Sequence, residues 1–326
     1  MNATVLIPCR NYGRFLGEAI DSVLDQDAPP GGVEILVVDD GSRDETPAVA
    51  ARYGDRVRYL RVEEGDKSAA TFAGIAAARG RYLFNLDADD RFLPGKIRRV
   101  LEAFEGDPGL VMVAHPPVRW ETANGSRLAE TVVPEFRGRA LSGPAFLSAA
   151  FRRLGGNPGA MGSTFAARLS ALRQVPPVRG VGLYVDLYLV LFTARQGSVR
   201  FLDDALSLYR LHEKNGSLDL DLSRGAALRL SMLEPLLERL RASGHPEDVK
   251  ALFELRVRIL RLVVKEQAGT KTFADVLSLW RFVAGHGVLL AGDLRGVLRD
   301  YWVVQKSLPA PLRRLGRGLR RADGVL

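Results

Sequence analysis

The sequence predicts an α/β protein, with a mostly parallel central sheet flanked by helices and a helical extension at the C-terminal end. Three observations carry this. Ala3-Thr4-Val5-Leu6-Ile7 and Glu34-Ile35-Leu36-Val37-Val38 are short continuous apolar runs of the kind shown by parallel strands buried on both faces. Between them Phe15, Ala19, Ile20, Val23 and Leu24 recur at helical spacing. After about Asp221 the strand signal stops, and leucine, valine and arginine recur at helical spacing.

The first strand breaks into Pro8-Cys9-Arg10-Asn11-Tyr12, and the second into Asp39-Asp40-Gly41-Ser42-Arg43-Asp44-Glu45-Thr46. A small-residue helix is expected from Ala69 to Arg79, stopped by Gly80. Tyr82-Leu83-Phe84 is the next apolar run, and a helix begins near Pro94. Strands are expected at Leu110 to Ala114 and Val199 to Leu202, Ala205 to His212 closes the α/β part, and helices are expected at Ala226 to Gln267, Phe273 to Phe282 and Gly296 to Gln305.

Asn85-Leu86-Asp87-Ala88-Asp89-Asp90, at the end of the third run, is the most informative stretch. If the chain turns at Ala88, the carboxylates of this stretch can converge on one hard cation that keeps positions open for phosphate oxygens. The plainer reading is an acidic turn in which Asp89 or Asp90 caps the next helix. In open parallel sheets ligands sit beyond the carboxyl ends of the strands, so the loops at Pro8, Asp39 and Asp87 should line one crevice.

Four ordered blocks resemble family 2 glycosyltransferases of the GT-A fold, a Rossmann-like architecture. They are Val5-Leu6-Ile7-Pro8 through Asn11, Leu16 through Gln26, Val37-Val38-Asp39-Asp40-Gly41-Ser42 with Asp44 and Thr46, and Asp87-Ala88-Asp89-Asp90. The resemblance resumes from Tyr184 to Ser217. It implies inverting transfer of a sugar from a nucleotide diphosphate donor, with UDP the expected nucleotide, to a hydroxyl of a saccharide or lipid-linked acceptor, as in bacterial-type polysaccharide, glycolipid or glycoconjugate synthesis. It also implies residue roles. Pro8, Cys9, Arg10, Asn11, Asp39 and Asp40 fall at the base and ribose, Asp87 and Ala88 at the donor, and Asp89 at a Mn2+ or Mg2+ ion. Asp186 falls on the catalytic base, although Val185 replaces the usual glutamate. In the segment Tyr209-Arg210-Leu211-His212, Arg210 is expected at the phosphates and His212 at the metal. Many relatives carry Arg-Asn where this chain has Thr71-Phe72, and Lys67 is the candidate substitute cation. The glycine-rich stretch Gly155 to Thr164 is expected on the acceptor side near Asp186, and Trp120, Trp280 and His115 read either as site or as core residues.

Of 326 residues 47% are hydrophobic, enough for a full core. The expected division is a catalytic domain over residues 1–220 and a helical region over 221–326. Net charge is +8, yet no nucleic-acid-binding pattern accompanies it, so no nucleic-acid partner is expected. Much of the excess lies in Lys306, Arg313, Arg314, Arg317, Arg320 and Arg321, with Leu308, Leu312, Leu315 and Leu319 interleaved. Residues 311–321 thus read as a basic amphipathic helix suited to anionic lipid, or as a solvated tail. Neither a spanning helix nor a signal peptide is read, so the expected location is cytoplasmic, peripheral at the inner face of the cell membrane. Cys9 is the only cysteine, which excludes an internal disulfide, and it is expected to line the nucleotide pocket. Two other readings stay open: a nucleotidyltransferase, which would want a glycine-rich lysine-containing phosphate loop, and a noncatalytic sugar-nucleotide or lipid-binding protein.

Overall fold

The structure is a computed structural model that describes residues 1–123, 125–129, 136, 138–153, 162–212 and 225–290. The chain divides into two compact units, Met1–Leu147 with Pro158–Asn215, and Ser148–Asn157 with Gly216–Leu326. In chain order the elements are β1 (Ala3–Cys9), α1 (Gly13–Leu24), β2 (Val33–Asp40), α2 (Thr46–Ala51), β3 (Arg58–Val62), α3 (Lys67–Ala77), β4 (Tyr82–Asn85), β5 (Arg91–Phe92) and α4 (Lys96–Gly106). Then come β6 (Leu110–Ala114), β7 (Pro117–Glu121), β8 (Arg127–Ala129), β9 (Ala140–Ser142), α5 (Gly143–Arg153), β10 (Phe165–Arg168), α6 (Leu169–Leu172), α7 (Val185–Ala194), β11 (Ser198–Phe201) and β12 (Ser207–Leu211). Three helices follow: α8 (Ala226–Arg241), α9 (Glu247–Gln267) and α10 (Phe273–Leu290).

The main sheet runs β3-β2-β1-β4-β10-β6-β11-β9. Strands β3, β2, β1 and β4 are mutually parallel, β10 lies antiparallel between β4 and β6, and β11 is parallel to β6. Both faces of β1 are covered, which is why the strand reads as a continuous apolar run. Val5, Ile7, Tyr82, Phe84 and Val113 form one core with Leu16 and Ile20 of α1 and Ile97, Val100 and Phe104 of α4. Leu6 and Val38 lie on the other face against α3, where a Cβ on Gly74 would come within 2.4 Å of Leu6 Cδ1 and 3.1 Å of Val38 Cγ2. The small residues of α3 therefore let its backbone approach the sheet.

Helix α3 begins two residues earlier than the sequence predicts. Asp66 is its N-cap and accepts the Ser68 N–H at 2.9 Å. Gly80 is not its left-handed stop, since the helix ends at Ala77. Glycine is needed there because a Cβ would lie 2.4 Å from the Ala3 carbonyl carbon and the Thr4 nitrogen. A second, four-stranded sheet, β5-β12-β7-β8, was not expected from the sequence; in it β12 runs parallel to β7 and antiparallel to β5.

In the second unit the stretch read as continuous from Ala226 to Gln267 is two helices, with Pro246 as the N-cap of α9. Proline restricts the preceding residue to extended backbone, and this breaks the helix between them. Leu233, Leu236, Leu237 and Leu240 of α8 are buried, as are Leu252, Phe253, Val257 and Leu260 of α9, and α9 packs on both α8 and α10. Residues 296–305 and 311–321, expected as helices, lie outside the described residues.

Candidate active site

Because β2, β1 and β4 are adjacent and parallel, the loops that follow them emerge side by side. Asn11 stitches the first two together: its N–H donates to Ser42 Oγ at 2.8 Å and its Oδ1 accepts the Arg43 N–H at 2.8 Å. It does so with φ of 59°, a left-handed backbone that asparagine tolerates better than most residues. Asp44 adds to the join by accepting the Gly13 N–H at 3.0 Å.

Several residues expected to meet the donor also serve the scaffold. Asp39 is wholly buried; its carboxylate accepts the Ser42 N–H at 2.9 Å and the Tyr59 hydroxyl, with Arg61 at 3.4 Å. Asp40 accepts the Glu64 and Gly65 N–H groups at 2.8 and 2.9 Å and so fastens the loop after β3 to the end of β2, with exposed Arg10 3.9 Å away. Both carboxylates hold loops in place. The Cys9 side chain is buried. By strand alternation it joins the core behind the sheet, where burial pushes its thiol well up, and Ala88 also belongs to that core. Pro8 is paired within the sheet opposite Val38.

The acidic stretch turns, as convergence of its carboxylates requires. The Asp90 N–H donates to the Asp87 carbonyl at 3.0 Å, and neither Asp89 nor Asp90 caps a helix, since α4 starts after Gly95. Asp87 accepts Lys67 Nζ at 3.1 Å, and the same ammonium lies 3.9 Å from Asp186. Burial alone would lower the Lys67 ammonium, but Asp87 and Asp186 outweigh it and hold it above its ordinary value. Asp89 meets His212 Nε2 at 3.1 Å, while His212 Nδ1 lies 3.3 Å from Arg14. Arg210, expected at the phosphates, is engaged by its neighbours. It is buried between the faces of Phe15 and Trp120 at 4.6 and 4.5 Å, donates to the Asp89 carbonyl at 2.7 Å and pairs with Glu18 at 2.6 Å. Its backbone N–H reaches Asp90 at 3.0 Å. Arg210 thus braces the acidic turn from behind, and Trp120 is its stacking partner.

Asp186 sits in the first turn of α7, near the positive end of the helix dipole. Gly162, with φ of +50°, is pressed against it: a Cβ there would lie 2.5 Å from Asp87 Oδ2 and 3.8 Å from Asp186 Oδ2. Burial raises the Asp186 carboxyl from 3.8 to about 6; Lys67 and the Gly162 N–H pull it down and Asp87 adds to the rise. Its Oδ1 is buried and accepts no hydrogen bond among the described residues. The crevice therefore holds one cation shared by two carboxylates, and beside it a buried carboxylate oxygen with lone pairs to offer.

A model of the family described as "Glycosyl transferase family 2" matches residues 4–175. The chain belongs to glycosyl transferase family 2. An uncharacterized glycosyltransferase from Nostoc sp. is 27% identical over 234 residues, 67% of each chain. Another, from Rickettsia prowazekii, is 42% identical over 94 residues, which spans only 29% of this chain and 29% of that protein. The fold is similar to that of S. aureus TarS in complex with UDP-GlcNAc, with TM-score 0.58, 14% identity and coverage of 99% of this chain and 88% of that one. It is also similar to that of the mannosyltransferase PcManGT from Pyrobaculum calidifontis in complex with GDP-Man and Mn2+, with TM-score 0.52, 15% identity and coverage of 92% and 87%.

The family resemblance implies a divalent ion at the acidic turn, and this chain's residues fit one in part. Among the described residues no group of three or more His, Cys, Asp or Glu side chains is arranged to hold a metal. Asp89 and His212 are a pair of donors 3.1 Å apart, the separation of neighbouring ligands around a six-coordinate ion with bonds of about 2.1–2.2 Å. The turn is also short of positive charge. Burial and Asp87 raise the Asp89 carboxyl, and burial with Asp89 and Asp87 raises Asp90 well above its ordinary value. Such a pair would leave most positions to diphosphate oxygens and water, the usual arrangement for magnesium-type sites.

Ser163 was not singled out in the sequence, although it lies in the glycine-rich stretch. Its hydroxyl accepts the Asp87 N–H at 2.9 Å and donates to Asp90 at 2.6 Å. Lys96 was missed altogether. The available signal was its phase, because it shares the buried face of α4 with Ile97, Val100, Leu101 and Phe104.

Proposed function

We propose that this family 2 member is an inverting glycosyltransferase that moves a sugar from a nucleoside diphosphate donor to a hydroxyl acceptor. The observation that carries the reading is the buried, unpartnered Oδ1 of Asp186 beside the Lys67–Asp87 ion pair. A carboxylate raised to about 6 by burial is ionised at neutral pH and basic enough to take a proton from an attacking hydroxyl. With the acceptor as nucleophile no covalent enzyme intermediate forms, and attack from the face opposite the diphosphate inverts the anomeric carbon.

Lys67 is placed to hold negative charge on the donor side, and its attachment to Asp87 orients both groups. Asp89 and His212 are the residues that would hold Mn2+ or Mg2+, which when bound neutralises the charge that develops on the departing diphosphate. The backbone of Pro8 to Asn11 faces the nucleotide side of the crevice. UDP is the favoured nucleotide, supported by the likeness to TarS, whose complex holds UDP-GlcNAc; the GDP-Man and Mn2+ of PcManGT support a divalent ion and keep guanosine donors in the test.

The acceptor is proposed to be a saccharide or a lipid-linked saccharide, met by a peripheral enzyme at the cytoplasmic membrane face. No helix among the described residues is long and apolar enough to cross a membrane, so membrane contact in this reading is through the basic segment 306–321.

The test is release of nucleoside diphosphate from a panel of UDP-, GDP- and dTDP-sugars with and without Mn2+. Asp186→Asn is expected to lower transfer by about 100- to 10,000-fold, leaving nucleotide affinity unchanged. Wild-type turnover in that variant would remove Asp186 from the role of base, and release of pyrophosphate would replace the transferase with a nucleotidyltransferase.

A further inference from the structure

Lys96 is a lysine with no solvent exposure at all. Its Nζ donates to the Ser163 carbonyl at 2.5 Å and to Ser207 Oγ at 2.9 Å, and lies 3.7 Å above the centre of the Phe92 ring. Ser207 Oγ donates to the same Ser163 carbonyl at 2.6 Å. An amine costs a great deal to bury, and here burial pushes the ammonium well below its ordinary value while Asp90 pulls it the other way. Core packing alone would be served better by methionine or leucine. What the amine adds is a hold on one peptide group, that of Ser163.

That peptide stands between the two halves of the site. On its side-chain side, Ser163 Oγ takes the Asp87 N–H and donates to Asp90. On its N-terminal side, Gly162 touches Asp87 and Asp186. Lys96 itself contacts none of the groups assigned to the donor, the metal or the proton transfer.

We propose that Lys96 is a positioning residue that clamps the Gly162-Ser163-Thr164 turn, so that the acidic turn and Asp186 keep one registration. The inference rests on the transferase reading above, and the experiment separates the two. Calorimetric titration of the full-length chain with UDP, GDP and dTDP in the presence of Mn2+ first identifies the nucleotide that binds wild type. Lys96→Met, which keeps the volume and removes the donor, and Ser163→Ala, which removes the hydroxyl but keeps the carbonyl, are then titrated with it well below their melting temperatures.

Each variant is expected to bind about tenfold or more weakly, the usual scale for loss of a group that orients site residues. The double variant is expected to be no weaker than the weaker single one, because both changes cut the same chain of contacts. Turnover of the matching nucleotide sugar at saturating concentration should fall as well. Unchanged affinity in Lys96→Met with a lowered melting temperature would make Lys96 merely structural and overturn the proposal, as would losses that add. If Lys96→Met does not fold, Ser163→Ala decides: wild-type affinity there overturns it. A wild-type chain that binds none of the three nucleotides sinks the transferase reading itself.

Discussion

At the scale of single residues, the chemistry assigned to Asp186 has a stability cost that can be measured apart from any reaction. Its carboxyl is raised in the folded chain from 3.8 to about 6. Below the lower value both folded and unfolded chains hold the proton; between the two values only the folded chain does. Stability therefore falls as pH rises across that window, and the full cost, about 3 kcal/mol, stands above it. Asp186→Asn removes the charge yet can still accept the Gly162 N–H, and Lys67 keeps Asp87 at 3.1 Å. The variant is expected to be more stable than wild type at pH 8 and to lose that advantage by pH 4, as followed by urea denaturation at the two pH values. The transfer rate of wild type should fall below about pH 6 as the same group protonates. Gly162→Ala tests the neighbouring contact: with φ of +50° and a Cβ 2.5 Å from Asp87 Oδ2, alanine strains the backbone and pushes the carboxylate away. Loss of at least about 1 kcal/mol is expected, with weakened nucleotide binding by titration.

At the scale of elements, what could be read from the sequence was whatever depends on local pattern. Strands β1, β2, β4 and β6 and helix α1 announce themselves because burial on both sheet faces, or on one helix face, writes a periodicity into a single segment. The small sheet does not: β5 has two residues and β8 has three, and partners as far apart as β7 and β12 create them. The same limit hid the real function of Gly80. Sequence position suggested a helix stop, whereas the structure requires a bare backbone where the chain passes Ala3 and Thr4, 2.4 Å from a would-be Cβ. Gly143 is a sharper case, since a Cβ would lie 1.7 Å from the Ala194 carbonyl oxygen. Gly80→Ala and Gly143→Ala are each expected to cost about 1–3 kcal/mol or more, the range for overpacking against atoms that cannot move aside. By contrast Gly32→Ala, where nothing lies within 4 Å of the Cβ but φ is +76°, should cost only the backbone term of about 1 kcal/mol. Chemical denaturation of the three variants would rank them.

At the scale of the whole molecule, the charge distribution separates two tasks. The crevice gathers Asp87, Asp89, Asp90 and Asp186, and Lys67 pairs with only two of them, Asp87 and Asp186. The sequence showed that concentration of carboxylates, but not which of them would turn inward to hold loops. Asp39 and Asp40 look identical in kind to Asp87 and Asp89 until loop closure assigns them to backbone N–H groups. The positive excess lies elsewhere: Lys306, Arg313, Arg314, Arg317, Arg320 and Arg321 oppose only Asp323. An acidic crevice gains nothing from a basic tail as a donor site, whereas an enzyme with a lipid-linked acceptor gains residence at an anionic surface. Each basic residue near such a surface contributes about 1 kcal/mol. Replacing Arg313, Arg314, Arg317, Arg320 and Arg321 with glutamine should therefore weaken co-sedimentation with phosphatidylglycerol vesicles by at least about 100-fold, and raising salt should weaken wild type in the same direction. The melting-temperature rise given by nucleotide and Mn2+ should stay as in wild type, since the groups assigned to the donor lie within residues 1–212. Equal vesicle binding by the two chains would leave the arginines a solvated tail and the membrane contact without a basis.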